Sequence, residues 1–157
     1  MGRARMDGQD SSYHLFGNVL TFRARPSAGS AFLLTECRSL PGAGAPPNLH
    51  PQDGEGFYIL EGEYEFMVDG AVRVAGPGAY VAIPAGAPHA FRNIGTTEAR
   101  MLIVNAPGVL HEAFFSTLGQ PLAPGEAPPP PPEGPPPEAV LAGLRAQAAA
   151  CGVTLLV

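Results

Sequence analysis

The stretch APPNLHPQDGEGFYILEG, residues 45–62, decides the fold of this chain. It places His50 five residues before the carboxylate of Glu55 and continues with an apolar run that ends in a glycine turn. A second stretch, GAYVAIPAGAPHAFRN at residues 78–93, carries another histidine, His89. Together the two stretches predict the two halves of one metal site inside a small β-barrel.

The bulk composition predicts a single acidic globular domain. The chain has 157 residues, enough for one hydrophobic core. Its formal net charge is −5, and the sequence has no basic stripe or polybasic segment, which disfavours nucleic acid and anionic membranes as partners. Cys37 and Cys151 form no CxxC motif and indicate reduced thiols. The first residues contain no apolar signal-peptide core, so we expect a cytoplasmic protein.

Short apolar runs separated by turn residues predict an all-β domain. The pair Asp69-Gly70 is the strongest hairpin signal, and helix-period stretches are lacking between residues 13 and 106. We therefore expect an antiparallel sandwich or barrel of about eight strands. The segment 41–47 contains Pro41, Pro46 and Pro47 and is expected to be irregular, because proline cannot donate to a ladder. The predicted strands are 19–23, 31–37, 57–60, 64–68, 71–75, 79–83, 89–92 and 98–106.

Four segments are predicted along the chain. Residues 1–12 are polar and are expected to form a disordered tail. Residues 13–120 form the barrel and end in a short helix at 110–118, whose apolar face is predicted to carry Leu110, Phe114 and Leu118. Residues 121–137 are rich in proline and predict an extended linker. Residues 138–157 predict a C-terminal helix and an apolar tail that dock on the same barrel or on a neighbouring subunit.

The candidate metal ligands can meet inside such a barrel. Asn48 and His50 are two residues apart, so they point to the same side of an extended segment. Two imidazoles and one carboxylate with open positions are typical of non-haem Fe(II) sites, and Mn, Co, Ni or Zn would also fit these donors. The predicted ligands are His50, Glu55 and His89, and the predicted pocket wall is formed by Phe57, Ile59 and Phe91. His14 and His111 lack such spacing and are expected to be structural or surface residues. The alternative for His111 is that it reaches the barrel mouth from the short helix.

These motifs resemble those of the cupin superfamily, and specifically those of small single-domain quercetinase-like (quercetin 2,3-dioxygenase-like) proteins. The first family motif ends H-x4-E-x6-G, which His50, Glu55 and Gly62 satisfy. The resemblance covers about residues 13–119 and implies a jelly-roll barrel, also called a double-stranded β-helix. The second motif, G-x5-P-x-G-x2-H-x3-N, is met at Gly78, Pro84, Gly86, His89 and Asn93.

The resemblance also implies a function. It implies a homodimeric, metal-dependent dioxygenase that acts on a flavonol-like or other small aromatic hydroxy-ketone. By motif position, His50 and His89 are ligands, and Glu55 is both ligand and the catalytic base that takes the substrate proton. One alternative is a non-enzymatic cupin that binds a small ligand. Another is metal-assisted isomerisation or hydrolysis of a sugar or keto acid, although the apolar pocket wall disfavours a sugar.

Asn48 is the one departure from the family pattern. The first family motif begins with a His-x-His pair, and Asn48 stands at the earlier position. Its amide oxygen is a weaker donor than imidazole for a late first-row metal. Asn48 is therefore a fourth metal ligand, a place left to water, or the sign of a site that has lost its metal.

Overall fold

Residues 11–157 form twelve strands and two helices. The structure is a computed structural model that describes residues 11–157. The helices are α1 (Val109–Leu118) and α2 (Glu138–Ala150), and a 3-10 turn spans Pro26–Ala28. The strands are β1 (Ser12–Leu15), β2 (Asn18–Ala24), β3 (Leu33–Ser39), β4 (Gly44–Leu49), β5 (Gly54–Glu61), β6 (Tyr64–Val68), β7 (Ala71–Ala75), β8 (Tyr80–Ile83), β9 (His89–Asn93), β10 (Ala99–Ala106), β11 (Gln120–Leu122) and β12 (Thr154–Leu155).

The strands form two antiparallel sheets that enclose one apolar core. The first sheet has seven strands in the order β11-β1-β2-β3-β10-β5-β8, and the second has five in the order β12-β4-β9-β6-β7. Alternate residues of both sheets point inward, since strand side chains alternate between faces. The architecture is the expected jelly-roll barrel. Its most deeply buried side chains include Phe22, Leu33, Phe57, Ile59, Tyr64, Phe66 and Met101.

The hairpin of β6 and β7 has the bounds that the sequence predicted. Strands β6 and β7 pair from Tyr64 with Ala75 to Val68 with Ala71. Asp69 and Gly70 join them with φ of 49° and 84°. Positive φ at both central positions is what a type I′ turn requires, so local turn chemistry sets this register.

The expectation for residues 41–47 was partly wrong. Residues from Gly44 onward belong to β4, which pairs with β9 on one side and β12 on the other. The β4–β9 register shifts between Ala45 and Asn48, where the two prolines lie. The irregularity removes the need for proline N–H groups in the ladder, which is how the prolines are accommodated.

Three short strands, β1, β11 and β12, were not predicted. Each pairs with a partner distant in sequence, and β1 also forms a hairpin with β2. Strand β1 begins at Ser12, so the last residue of the tail predicted for residues 1–12 belongs to a strand. Residues 1–10 of that tail lie outside the described residues. Strand β11 pairs with β1 and includes the first two residues of the predicted linker. The remainder of the segment 123–137 contains no helix or strand and is largely exposed.

The C-terminal segment docks on its own barrel. Helix α2 packs against α1, and strand β12 adds to the edge of β4, opposite Leu49 and Asn48. Val153 is 1% exposed and Leu155 7% exposed. The chain's own barrel is one of the two docking positions that the sequence left open. No helix in residues 11–157 is long and apolar enough to span a membrane.

Candidate metal centre

Three chain segments bring His50, Glu55 and His89 together. His50 directly follows β4, Glu55 lies near the start of β5, and His89 begins β9 opposite Asn48 of β4. The Nε2 atoms of His50 and His89 are 3.2 Å apart. They lie 3.4 Å and 2.9 Å, respectively, from Oε1 of Glu55. The predicted ligands therefore meet, and one donor atom from each lies within 4.8 Å of the others.

Backbone carbonyls determine which nitrogen of each ring faces the site. Nδ1 of His50 donates to the Asp53 carbonyl at 3.0 Å, and Nδ1 of His89 donates to the Ala87 carbonyl at 2.8 Å. A carbonyl oxygen only accepts, so both Nδ1 atoms carry the hydrogen and each Nε2 faces the carboxylate of Glu55. A positive charge is needed between an imidazole lone pair and a carboxylate. A bound cation or a ring proton would supply it.

Burial and hydrogen bonds determine the charge of Glu55. Burial alone would raise the pKa of the Glu55 carboxyl, but hydrogen bonds from His50 and His89, with the nearby His111, hold this pKa well below its usual range. Burial lowers the pKa of His50, yet the hydrogen bond and charge of Glu55 outweigh it and leave that pKa raised. Glu55 is therefore a carboxylate in a buried site, which suits a cation.

Asn105 is a site residue that sequence reasoning missed. Its amide nitrogen donates to Oε2 of Glu55 at 2.7 Å, from an inward position on β10. Asn105 is 0% exposed. A polar residue at an inward position of an otherwise apolar strand was the available signal, but no motif marked it.

Asn48 lies beside the site and links two strands. Its amide nitrogen donates to the carbonyls of Pro46 at 3.0 Å and His89 at 3.3 Å. These bonds tie β4 to β9 just where His89 enters the site. The amide oxygen is the only atom that Asn48 could offer to a cation.

His111 is a buried residue beside the site, which excludes the expected surface position and agrees with the alternative that it reaches the barrel from the short helix. It is 3% exposed, and its Nε2 lies 3.6 Å from Oε2 of Glu55. Its ring meets the ring of His50 edge-on, with centroids 4.3 Å apart. Nδ1 of His111 lies 2.8 Å from Oδ2 of Asp53, and Gly108 donates its N–H to the same carboxylate. His111 and Asp53 are therefore part of the site's surroundings.

The available signal for His111 was its helical face. The buried stripe of α1 contains His111, Phe114 and Phe115, whereas Leu110 and Leu118 are only partly buried. Positions i, i+3 and i+4 share one face of a helix. The predicted stripe was rotated from the observed one by about one residue, which placed His111 off the buried face.

A cavity of about 50 Å³ lies next to these groups. Phe57 and Phe91 line it as predicted, but Ile59 is packed in the core and does not. The volume admits a metal ion with about one water molecule, since a water molecule occupies about 30 Å³ in the liquid. Other lining residues come from β1, α1 and the C-terminal strand, among them Leu15, His111, Phe114, Phe115 and Leu155.

Comparisons with known proteins agree with this architecture. Residues 36–105 match the family model described as a cupin domain. A quercetin 2,3-dioxygenase from Bacillus subtilis is 32% identical over 119 residues, which cover 74% of this chain. The chain spans about a third (34%) of that relative's length.

Solved cupin structures share the fold at low sequence identity. KdgF from a Halomonas species superposes with a TM-score of 0.57 at 17% identity, covering 68% of this chain and 94% of its own. An RmlC-like cupin from Shewanella frigidimarina gives a TM-score of 0.56 at 16% identity, covering 69% and 92%. These likenesses concern the fold alone. The family-model match and the 32% identical relative, together with the motif residues gathered in one buried site, show that residues 36–105 form a cupin domain that resembles those of quercetinase-like proteins.

Proposed function

We propose that the chain binds a divalent transition metal through His50, Glu55 and His89 and acts as a dioxygenase. The proposed substrate is a flavonol-like or other small aromatic hydroxy-ketone. The observation that carries the proposal is the convergence of two Nε2 atoms on one buried carboxylate. The similarity to a quercetin 2,3-dioxygenase supports the reaction class.

The donor set fits such a metal. Imidazole and carboxylate together suit Fe, Mn, Co, Ni and Zn, so the metal's identity stays open. When bound, the metal would act as a Lewis acid toward an oxygen atom of the substrate. The aromatic walls Phe57 and Phe91 exclude water and would contact an aromatic ring.

Glu55 is the proposed catalytic base. Its lowered pKa keeps it ionised at neutral pH, so it can accept a proton. A carboxylate with a low pKa is a weak base, so it requires an acidic donor. An enolic hydroxyl beside a ketone is more acidic than an alcohol, which favours a hydroxy-ketone over a sugar as substrate.

A non-enzymatic cupin is the second candidate function. The cavity of about 50 Å³ is far smaller than the roughly 300–1,000 Å³ of typical small-molecule sites. A flavonol would enter only if the walls moved. The small cavity and Asn48 at a ligand position both favour a protein that binds a metal or a small ligand without turnover.

Metal content tests the proposal. We expect elemental mass spectrometry of purified protein to find near-stoichiometric transition metal, and His89→Ala to lose it, because that change removes one of two imidazoles. His14→Ala is the matched control, since His14 lies on β1 outside the site. Circular dichroism should show that the variants stay folded.

Each outcome has a separate meaning. Full metal occupancy in folded His89→Ala would contradict the ligand assignment. Failure of the unmodified protein to bind any of the five metals after reconstitution would remove the dioxygenase proposal and leave the second candidate. If the protein binds metal but consumes no oxygen in the presence of flavonols, the metal site stands and the dioxygenase activity is excluded.

We also propose a homodimer, on the family resemblance alone. The apolar C-terminal segment no longer supports it, because Val153 and Leu155 are covered by the chain's own barrel. Sedimentation velocity would show a monomer if this proposal is wrong.

A further inference from the structure

We propose that His111 is a third imidazole ligand of this metal, supplied by helix α1 in place of the histidine that the first motif lacks at Asn48. The inference rests on the metal binding proposed above and extends it to a residue outside both family motifs. It makes the donor set three imidazoles and one carboxylate.

The hydrogen bond to Asp53 prepares His111 for this role. Asp53 is 2% exposed, and its two oxygens accept the backbone N–H groups of Gly108 and His111, which is the bonding pattern of a carboxylate. As a carboxylate it can only accept, so Nδ1 of His111 carries the hydrogen and Nε2 presents a lone pair. Histidine ligands in metalloproteins usually donate their other ring N–H to a carboxylate or carbonyl in this way. His50, His89 and His111 all follow this pattern.

The lone pair of His111 faces the metal-binding carboxylate. The 3.6 Å between Nε2 of His111 and Oε2 of Glu55 is too long for a hydrogen bond. It is close to the roughly 3.0–3.5 Å that separates two ligands bound about 2.1 Å from one metal. Two electron-rich atoms facing each other in a buried site are stabilised by a cation between them.

The start of helix α1 holds His111 in place. The two oxygens of Asp53 accept the backbone N–H groups of Gly108 and His111 at 3.0 Å each. Gly108 has φ of 85°, and a Cβ there would lie 2.6 Å from the carbonyl oxygen of Asn105. The first turn of α1 is therefore fixed against the loop that carries Asp53, between His50 and Glu55.

Asn48 leaves the position that His111 can fill. Asn48 and His111 line the same cavity, and the Asn48 amide nitrogen is engaged by two backbone carbonyls. The amide oxygen is a poorer ligand than imidazole for these metals. His111 on α1 thus supplies, at the same cavity, the imidazole that the first family motif would place on β4 at position 48.

Metal affinity of paired variants tests the proposal. Co²⁺ affinity would be measured by chelator competition for the unmodified protein, His111→Gln, Asn48→Ala and the control His14→Gln. Loss of an outer hydrogen-bond partner of a ligand costs about 10- to 100-fold in affinity. We therefore expect His111→Gln to weaken binding at least about 100-fold and His14→Gln to leave it unchanged. Asn48→Ala should weaken binding less than His111→Gln, because it removes only an outer hydrogen bond to the His89 carbonyl.

The outcomes separate this inference from the proposed function. Unchanged affinity in His111→Gln, with loss of binding in His89→Ala, would overturn the role of His111 and leave the metal site standing. A large loss in Asn48→Ala alone would assign the fourth position to Asn48. No binding by the unmodified protein would overturn both proposals.

A measurement without substitution covers the case in which His111→Gln fails to fold. Long-range ¹H–¹⁵N NMR of the unmodified protein, with and without Zn²⁺, reports each imidazole nitrogen separately. We expect the Nε2 signals of His50, His89 and His111 to shift on Zn²⁺ binding while those of His14 stay unchanged. A stationary His111 Nε2 signal with shifted signals from His50 and His89 would overturn the proposal.

Discussion

Both carboxylate oxygens of Glu55 have polar partners, and these contacts fix the orientation of the carboxylate. Oε1 faces the imidazoles of His50 and His89, while Oε2 accepts the amide hydrogen bond of Asn105. Oδ1 of Asn105 has no hydrogen-bond partner among residues 11–157. An unsatisfied buried oxygen costs free energy. The hydrogen bond by which the Asn105 nitrogen orients Glu55 is a reason for keeping an asparagine there despite this cost.

Replacement of Asn105 by alanine tests this positioning role. We expect Asn105→Ala to weaken metal affinity about 10- to 100-fold, because an unsupported carboxylate is less well oriented, while stoichiometric binding persists at high metal concentration. Chelator competition measures the affinity. Thr35→Val is the matched control, since Thr35 is equally buried on the neighbouring strand β3 and its Oγ1 is also unpartnered. Equal affinities for the two variants would show that Asn105 has no such role.

At the residue scale, motif spacing predicted the three candidate metal ligands, because their pattern lies within short stretches of sequence. His50, Glu55 and His89 were identified from spacing within two short stretches. Asp53, Asn105 and His111 were missed because their contacts are tertiary. Asp53 bonds to His111 across 58 positions, and Asn105 to Glu55 across 50. No spacing rule covers such pairs.

Helix α1 is the element that joins the barrel to the site. Its second buried polar residue, Glu112, lies next to His111 and turns toward the 3-10 turn before β3. Oε1 of Glu112 accepts the Ser27 N–H at 2.9 Å, and Oε2 accepts from the Ser27 hydroxyl and from Arg25 at 2.5 Å and 2.9 Å. Burial raises the pKa of Glu112, but these donors outweigh it and the pKa is lowered.

The lowered pKa of Glu112 gives a pH-dependent stability. A carboxyl whose pKa is lower when folded stabilises the fold above its unfolded pKa, near 4.5, and loses that contribution as the pH falls toward its folded pKa. We expect Glu112→Gln to lower the free energy of unfolding by about 1–3 kcal/mol at pH 7. The difference should shrink below pH 4.5.

Urea unfolding at several pH values measures this difference. Glu126→Gln is a matched control, because Glu126 is an exposed carboxylate that bonds only within its own turn at Ala123. A Glu112→Gln difference that stayed constant from pH 7 to pH 3 would show that its carboxylate charge contributes nothing.

At the element scale, the predictable elements were those with local signals. Hairpin β6–β7 was predicted from Asp69-Gly70, and α1 from its period, although its buried face was misplaced. Strand β4 was read as irregular because of its prolines, yet pairing with β9 and β12 outweighs that local preference. Strands β1, β11 and β12 have two to four residues each, too few for a clear alternation pattern, and β11 and β12 pair only with distant strands among the described residues.

The whole molecule is closed by its own C-terminus. The chain crosses from β11 through the proline-rich segment to α2 and then returns to the barrel, where Leu155 pairs opposite Asn48 and lines the cavity. The apolar character of the tail predicted docking, but its position could not be predicted, because two residues of strand carry no register information.

Leu155 therefore couples stability to the size of the cavity. We expect Leu155→Ala to lower the free energy of unfolding by about 2–4 kcal/mol, since it removes buried methyl groups and leaves a void. Leu156→Ala is the matched control. Leu156 is 45% exposed and its backbone N–H still donates to the Pro47 carbonyl after the change, so we expect a difference within about 0.5 kcal/mol. Urea unfolding measures both. Equal effects would mean that the C-terminal strand does not close the barrel in solution, and the small cavity would then no longer count against a flavonol-sized substrate.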